Sequence, residues 1–146
     1  LIHAARRGVR VILLLQGKIE YRIQHYASRA LYGNLLEAGI KIYEYHKSYL
    51  HTKVAVIDNY WSTVGSSNID PFSLLLAREA NIIVTDHTFS SELRANLQQA
   101  LQESNPVSER YWKKRAWLDR LLNWISYYTL RFLQGTLGYG QKSTRI

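Results

Sequence analysis

Ile40-Lys41-Ile42-Tyr43-Glu44-Tyr45 alternates with a period of two, as a β-strand with one covered face does. Upstream, from Tyr21 to Ala38, the apolar residues Ile23, Ala27, Ala30, Leu31, Leu35 and Ala38 recur at helical spacing, and Gly39 stands where a helix C-terminus needs a left-handed residue. Before that helix, Val9-Arg10-Val11-Ile12-Leu13-Leu14-Leu15 is a β-branched and leucine-rich run bounded by Gln16-Gly17, which suits a buried strand. Strand, helix and strand in that order make a βαβ unit, whose two strands pair in parallel. The expected class is therefore α/β, with a mixed, largely parallel sheet flanked by helices.

Downstream, His51 to Asp58 reads as a third strand and Trp61 to Val64 as a fourth, joined by the turn Asp58-Asn59-Tyr60. Asp70-Pro71 is an N-cap followed by proline at the first helical position, so a short helix is expected from Pro71 to Leu76. Glu79 to Asp86 is another Ile/Val-rich strand. The helical pattern Phe89, Leu93, Leu97, Ala100, Leu101 follows, until Ser104-Asn105-Pro106 breaks it.

Chemistry concentrates in His51-x-Lys53-x4-Asp58-x6-Gly65-Ser66-x-Asn68. Residues two apart on a strand share a face, so His51 and Lys53 point into one cleft. Asp58 completes the catalytic motif, but seven positions after His51 it falls on the opposite face, and a structural role at the strand end is expected of it. An imidazole titrates near neutral pH, which lets His51 act as nucleophile or proton carrier. Lys53 supplies positive charge for phosphate oxygens, Gly65 lets the backbone approach closely, and Ser66 and Asn68 offer donors. Lys53, Gly65, Ser66 and Asn68 are thus the expected phosphate-binding set. The motif lacks the carboxylate cluster that magnesium needs and the histidine grouping that zinc needs, so neither metal nor cofactor is expected. His46, just upstream, is a candidate for the cleft wall.

With 146 residues, 47% of them apolar, the chain suffices for one domain with a core. It has no cysteine, so disulfides and thiolate metal sites are excluded. It also has no methionine, and Leu1 to Gly8 looks like the end of a helix, so it reads as part of a longer protein whose missing portion lies N-terminal. The net charge of +8 is unevenly placed: residues 1–104 hold 11 Lys/Arg against 9 Asp/Glu, and residues 105–146 hold 8 against 2. Two regions are expected on that basis, a catalytic half-domain over 1–104 and a basic, aromatic tail over 105–146.

In the tail, Trp117, Leu121, Trp124, Tyr128 and Phe132 follow three- and four-residue steps, with Lys113, Lys114, Arg120 and Arg131 off the apolar seam. The uncharged stretch from Leu121 to Leu130 is far short of the roughly 20 residues of a membrane span. Packing on the catalytic domain is one use for such a helix. Facing a polyanion, an anionic membrane surface or nucleic acid, is the other, given the charge.

The motif from His51 to Asn68 resembles that of the phospholipase D superfamily. The run from Tyr21-Arg22-Ile23-Gln24-His25-Tyr26 through Glu44-Tyr45-His46-Lys47 to Asn68-Ile69-Asp70-Pro71-Phe72-Ser73 and Arg78-Glu79-Ala80-Asn81 is similar to the C-terminal half of bacterial cardiolipin synthases, above all their B type. The resemblance covers essentially the whole chain. It implies half of a two-half fold, a phosphohistidine-linked phosphatidyl intermediate, phosphatidylglycerol as acceptor, and a second histidine motif in an N-terminal half of the same protein. Glu79 matches an acid that orients a catalytic histidine in related enzymes. One motif stands here where the family has two, so His51 is nucleophile or general acid/base, with the second favoured. Phospholipid is then the expected substrate, nucleic acid is not an expected partner, and the expected place is the cytoplasmic face of a bacterial inner membrane, held peripherally. The alternatives are a phosphodiester hydrolase of the same superfamily, acting on lipid or nucleic acid, and an inert membrane-binding piece.

Overall fold

The computed structural model describes residues 1–66 and 79–138, with side chains to residue 133. The expected helix over Pro71–Leu76 and the candidate Asn68 lie outside the described residues. In chain order the elements are α1 (Ile2–Arg6), β1 (Ile12–Gln16), α2 (Arg22–Ala30), α3 (Tyr32–Glu37), β2 (Lys41–Tyr45), β3 (Lys53–Ile57), β4 (Trp61–Gly65), β5 (Asn81–Thr85), α4 (His87–Gln102), β6 (Ser104–Pro106), α5 (Glu109–Lys113) and α6 (Trp117–Gly138).

The βαβ unit forms as the periodicities require. β1 and β2 pair in parallel from Ile12 opposite Lys41 to Gln16 opposite Tyr45. Gly39, at φ 84°, donates its N–H to Leu36 O at 2.9 Å, and Ile40 N donates to Leu35 O at 3.1 Å. Those two bonds satisfy carbonyls of the last turn, and only glycine enters that conformation without steric cost.

The crossover helix is broken in two. Leu31 closes α2 and opens α3, and the second segment sends Tyr32 and Leu36 into the core while α2 keeps Ala27 as its buried residue. Gly33 and Asn34, both weak helix formers, follow directly after the break.

The class is α/β as expected, but the strands form two three-stranded sheets, ordered β1-β2-β6 and β3-β4-β5, and they are less parallel than expected. Only β1 and β2 pair in parallel among the described strands; β2–β6, β3–β4 and β4–β5 are antiparallel. The short Asp58-Asn59-Tyr60 turn leaves β3 and β4 no other option, since a parallel return needs a crossover of a dozen residues or more. Asp58 and Asn59 both have positive φ, 50° and 54°, and Tyr60 N bonds Ile57 O at 3.2 Å. This is the turn that suits the twist of a hairpin, and Asp and Asn enter it more readily than other non-glycine residues.

β6 is a strand where the sequence showed only a helix break. Ser104 to Pro106 run along the outer edge of β2, an edge position that tolerates proline. Beyond it, Trp112 inserts into the core formed by Tyr32, Leu36, Ile40 and Ile42. The Arg115 guanidinium lies 3.1 Å from the centroid of the Trp112 ring, a cation–π contact that covers the indole. In the second layer, the buried hydroxyls of Ser62 on β4 and Ser90 on α4 bond each other at 2.7 Å, so both polar groups under that helix are satisfied.

α6 packs on α2. Among its described side chains α6 buries Asn123 and Ser126, whereas Trp117, Leu121, Ile125, Tyr128 and Phe132 stay exposed.

Candidate active site

β3 begins at Lys53, and His51 stands two residues before it. Lys53 Nζ lies 2.9 Å from His51 Nε2. An ammonium can only donate, so in this arrangement Nε2 holds a lone pair and the imidazole proton is on Nδ1. His51 is exposed and Lys53 half-buried, so the pair opens to solvent.

Across the sheet Lys53 is opposite Gly65, and Gly65 is opposite Asn81. Directly opposed residues share a face. The missing side chain at Gly65 is the space that Asn81 occupies: a Cβ there would overlap the Asn81 side chain and the Ala80 carbonyl oxygen. The close approach that Gly65 allows here is that of Asn81. Sequence reasoning gave Asn81 no role, although its position two residues after Glu79 set it at the edge of the site.

Ser66 acts on the same segment. Its N–H donates to Ala80 O at 3.0 Å, its hydroxyl donates to the same oxygen at 3.3 Å, and Ala80 N donates to Ser66 Oγ at 3.0 Å. The hydroxyl expected to meet phosphate thus clamps the start of β5. Glu79, half-buried, is the neighbour of the clamped residue. His51, Lys53, Gly65, Ser66 and Glu79 accordingly gather at one end of the second sheet.

Asp58 is not with them. It occupies the hairpin turn at the other end of β3, exposed, next to Asn59, which α4 holds through Arg94 Nη1 at 2.6 Å and His87 Nδ1 at 3.0 Å.

His51 also adjoins the C-terminal edge of the parallel strands, the edge where open α/β sheets place ligands. Leu50 N donates to Gln16 Oε1 at 2.6 Å. His46 is packed against Gly17, and its Nε2 lies 3.6 Å from Glu44 Oε2. Behind it, Arg29 makes a bidentate pair with the buried Glu44, at 2.7 and 2.8 Å from Arg29 Nη2. Burial and the Arg29 charge hold the His25 imidazole below its ordinary pKa, and burial together with Glu44 raises that of the Tyr32 phenol. Among the described residues no group of three or more His, Asp or Glu side chains is arranged to hold a metal.

The chain is similar to several known proteins. Residues 1–101 match the family model described as cardiolipin synthase, PLD-like domain. The chain is 42% identical over 137 residues to cardiolipin synthase B of Salmonella typhi, covering 93% of this chain and 33% of that protein. It is 31% identical over 133 residues to the minor cardiolipin synthase ClsB of Bacillus subtilis, covering 91% and 33%. The chain thus spans about a third of the length of the curated relatives it matches. Among solved structures, Nuc of Salmonella typhimurium, a phospholipase D family member, superposes with a TM-score of 0.65 at 22% identity over 73% of this chain and 70% of that one, which shows a shared fold. With the family model matching more than half of its residues, the chain belongs to the phospholipase D-like cardiolipin synthase family.

Proposed function

We propose that the protein carrying this chain is a phosphatidyltransferase that makes cardiolipin, and that residues 51–79 supply one of two half-sites. The pairing of His51 with Lys53 at 2.9 Å carries this reading, because it sets an imidazole lone pair beside a cation that can hold phosphate oxygens.

In the first step a histidine nitrogen of the other half-site bonds phosphorus as the bond from phosphorus to the leaving alcohol oxygen breaks. For this step Lys53 turns from His51 Nε2 to the phosphate oxygens, and His51, now protonated at both nitrogens, gives the leaving oxygen its proton. In the second step His51 takes the proton of the incoming phosphatidylglycerol hydroxyl, whose oxygen bonds phosphorus while the phosphorus–nitrogen bond breaks. Lys53 neutralises the non-bridging oxygens throughout. Ser66 and Gly65 fix Ala80 and Asn81, and with them the level of Glu79, which orients a histidine. Asn68 completes the phosphate set, and Asp58 holds the turn that ends β3. No metal or cofactor enters these steps.

The relatives' names support the substrate, and α6 supports the location. A helix that buries Asn123 and Ser126 against α2 while exposing Trp117, Tyr128 and Phe132 reverses the usual arrangement in water. Small and polar residues between helices with apolar residues outward suit a lipid environment, and Trp and Tyr suit the headgroup level. Lys113, Lys114, Arg120 and Arg131 suit an anionic leaflet. No helix among the described residues is long and apolar enough to cross a membrane. We infer a peripheral place on the cytoplasmic face of the bacterial inner membrane, seated through the exposed face of α6 within the basic region 105–146, with the partner half-site in the N-terminal portion of the same protein.

The deciding experiment incubates the intact protein with phosphatidylglycerol vesicles and resolves the lipid products. Cardiolipin from the wild type and none from His51→Ala is the expected result. Phosphatidate in place of cardiolipin would make the enzyme a hydrolase, and cardiolipin from His51→Ala would remove His51 from the mechanism.

A further inference from the structure

Gln16-Gly17-Lys18, at the end of β1, grips the loop that leads from β2 to His51. Gly17 N donates to Tyr45 O at 2.8 Å. Lys18 Nζ donates to Lys47 O at 3.1 Å and lies 5.7 Å from the Tyr49 ring centroid. The His46 ring covers Gly17 so closely that a Cβ there would meet it at 2.5 Å. Farthest along the loop, Gln16 Oε1 accepts the Leu50 N–H at 2.6 Å, one peptide before His51.

Gln16 is an odd choice for that strand. It ends the run Ile12-Leu13-Leu14-Leu15, and its Nε2 is buried with no hydrogen-bond partner among the described residues. A buried donor without a partner costs stability, and an apolar side chain of similar size would avoid the cost. The cost is met at the same side chain whose other end fixes the Tyr49–Leu50 peptide, one residue before His51.

The geometry points to Gln16 as a positioning residue for His51, one that sacrifices local stability to hold the Tyr49–Leu50 peptide, and through Leu50 the imidazole, in register with Lys53. Gln16 touches neither imidazole nor ammonium. It acts through the Leu50 amide, and the first half of the loop, tied by Gly17 and Lys18, gives it a fixed frame. This rests on the reading of His51 as a catalytic group.

Two near-isosteric variants separate the two ends of the side chain. Gln16→Met removes both the acceptor and the orphaned donor, whereas Gln16→Glu keeps an acceptor for Leu50 and puts a second, negatively charged oxygen where the donor was. Hydrogen exchange of the Leu50 amide in this chain, and turnover of phosphatidylglycerol vesicles by the intact protein, are read together with the thermal midpoint. Gln16→Met is expected to speed Leu50 exchange, to lower kcat on the order of 10²-fold as a displaced catalytic group does, to leave KM near wild type, and to hold or raise the midpoint. Gln16→Glu is expected to restore slow exchange and most of kcat.

Wild-type kcat in Gln16→Met, a kcat loss matched by a fall in midpoint, or a Gln16→Glu protein as slow as Gln16→Met would each overturn the proposal. Full turnover in His51→Ala would instead remove the catalytic reading beneath it. An inactive His51→Ala beside a fully active Gln16→Met would sink the role of Gln16 alone.

Discussion

Arg29 on α2 and Glu44 on β2 form a two-oxygen ion pair, with Arg29 Nη2 2.7 Å from Oε1 and 2.8 Å from Oε2, and the Glu44 side chain only 8% exposed. Breaking such a pair from one side leaves a buried charge uncompensated, which typically costs about 3–5 kcal/mol. Arg29→Met should therefore lower unfolding free energy by more than the double variant Arg29→Met/Glu44→Leu does. Urea unfolding of both checks this; equal losses would show that the pair is not coupled as its geometry implies.

His25, near that pair, is held below its ordinary pKa first by burial and then by the Arg29 charge. For a base whose folded pKa is depressed, the unfolded chain binds more protons as pH falls through the unfolded value of about 6.5. The contribution is fully present above that pH and is lost below it. The midpoint of thermal unfolding should fall between pH 7.5 and 5.5, and His25→Gln should flatten that segment of the curve. An unchanged slope in the variant would assign the effect to other groups.

Gly65 has no room for a methyl group beside Asn81 and Ala80. Gly65→Ala should force β5 away from β4 and cost about 1–3 kcal/mol by overpacking, with a larger loss of turnover than of stability because Glu79 moves with Ala80. A circular-dichroism melt and the cardiolipin assay on the same preparation test both halves of that statement.

At Asp58 the prediction runs the other way. Its φ of 50° favours glycine, so Asp58→Gly should fold and turn over much as the wild type does, whereas Asp58→Val should lose roughly 1–2 kcal/mol from left-handed strain. Near-complete inactivation of a stably folded Asp58→Gly would show that the carboxylate itself takes part in the chemistry.

The sequence carried those features that depend on neighbours along the chain. Gly39 announced its C-cap, the apolar periods announced β1 and β2 with a helix between them, and the spacing of His51 and Lys53 announced that they would meet. Contacts between distant residues were not written there. Ser104 to Pro106 read only as an end to a helix, since nothing local shows that the edge of β2 is open to them. Trp112 read as part of a basic tail, because its place beside Tyr32 and Ile42 exists only after the crossover has folded. Gln16 and Asn81 were missed for the same reason: one serves a peptide 34 residues away, and the other fills a space that Gly65 leaves. A polar side chain ending an apolar strand at the edge where α/β sheets bind ligands is the one signal that would have drawn attention to Gln16.

The inverted packing of α6 bears on how this protein behaves in the tube. With Asn123 and Ser126 turned inward and Trp117, Leu121, Tyr128 and Phe132 turned outward, its surface is sticky wherever plain buffer is the only neighbour. Mild detergent or lipid should therefore keep it dispersed, and clumping in their absence would report the same outward face of α6 that is proposed to meet lipid.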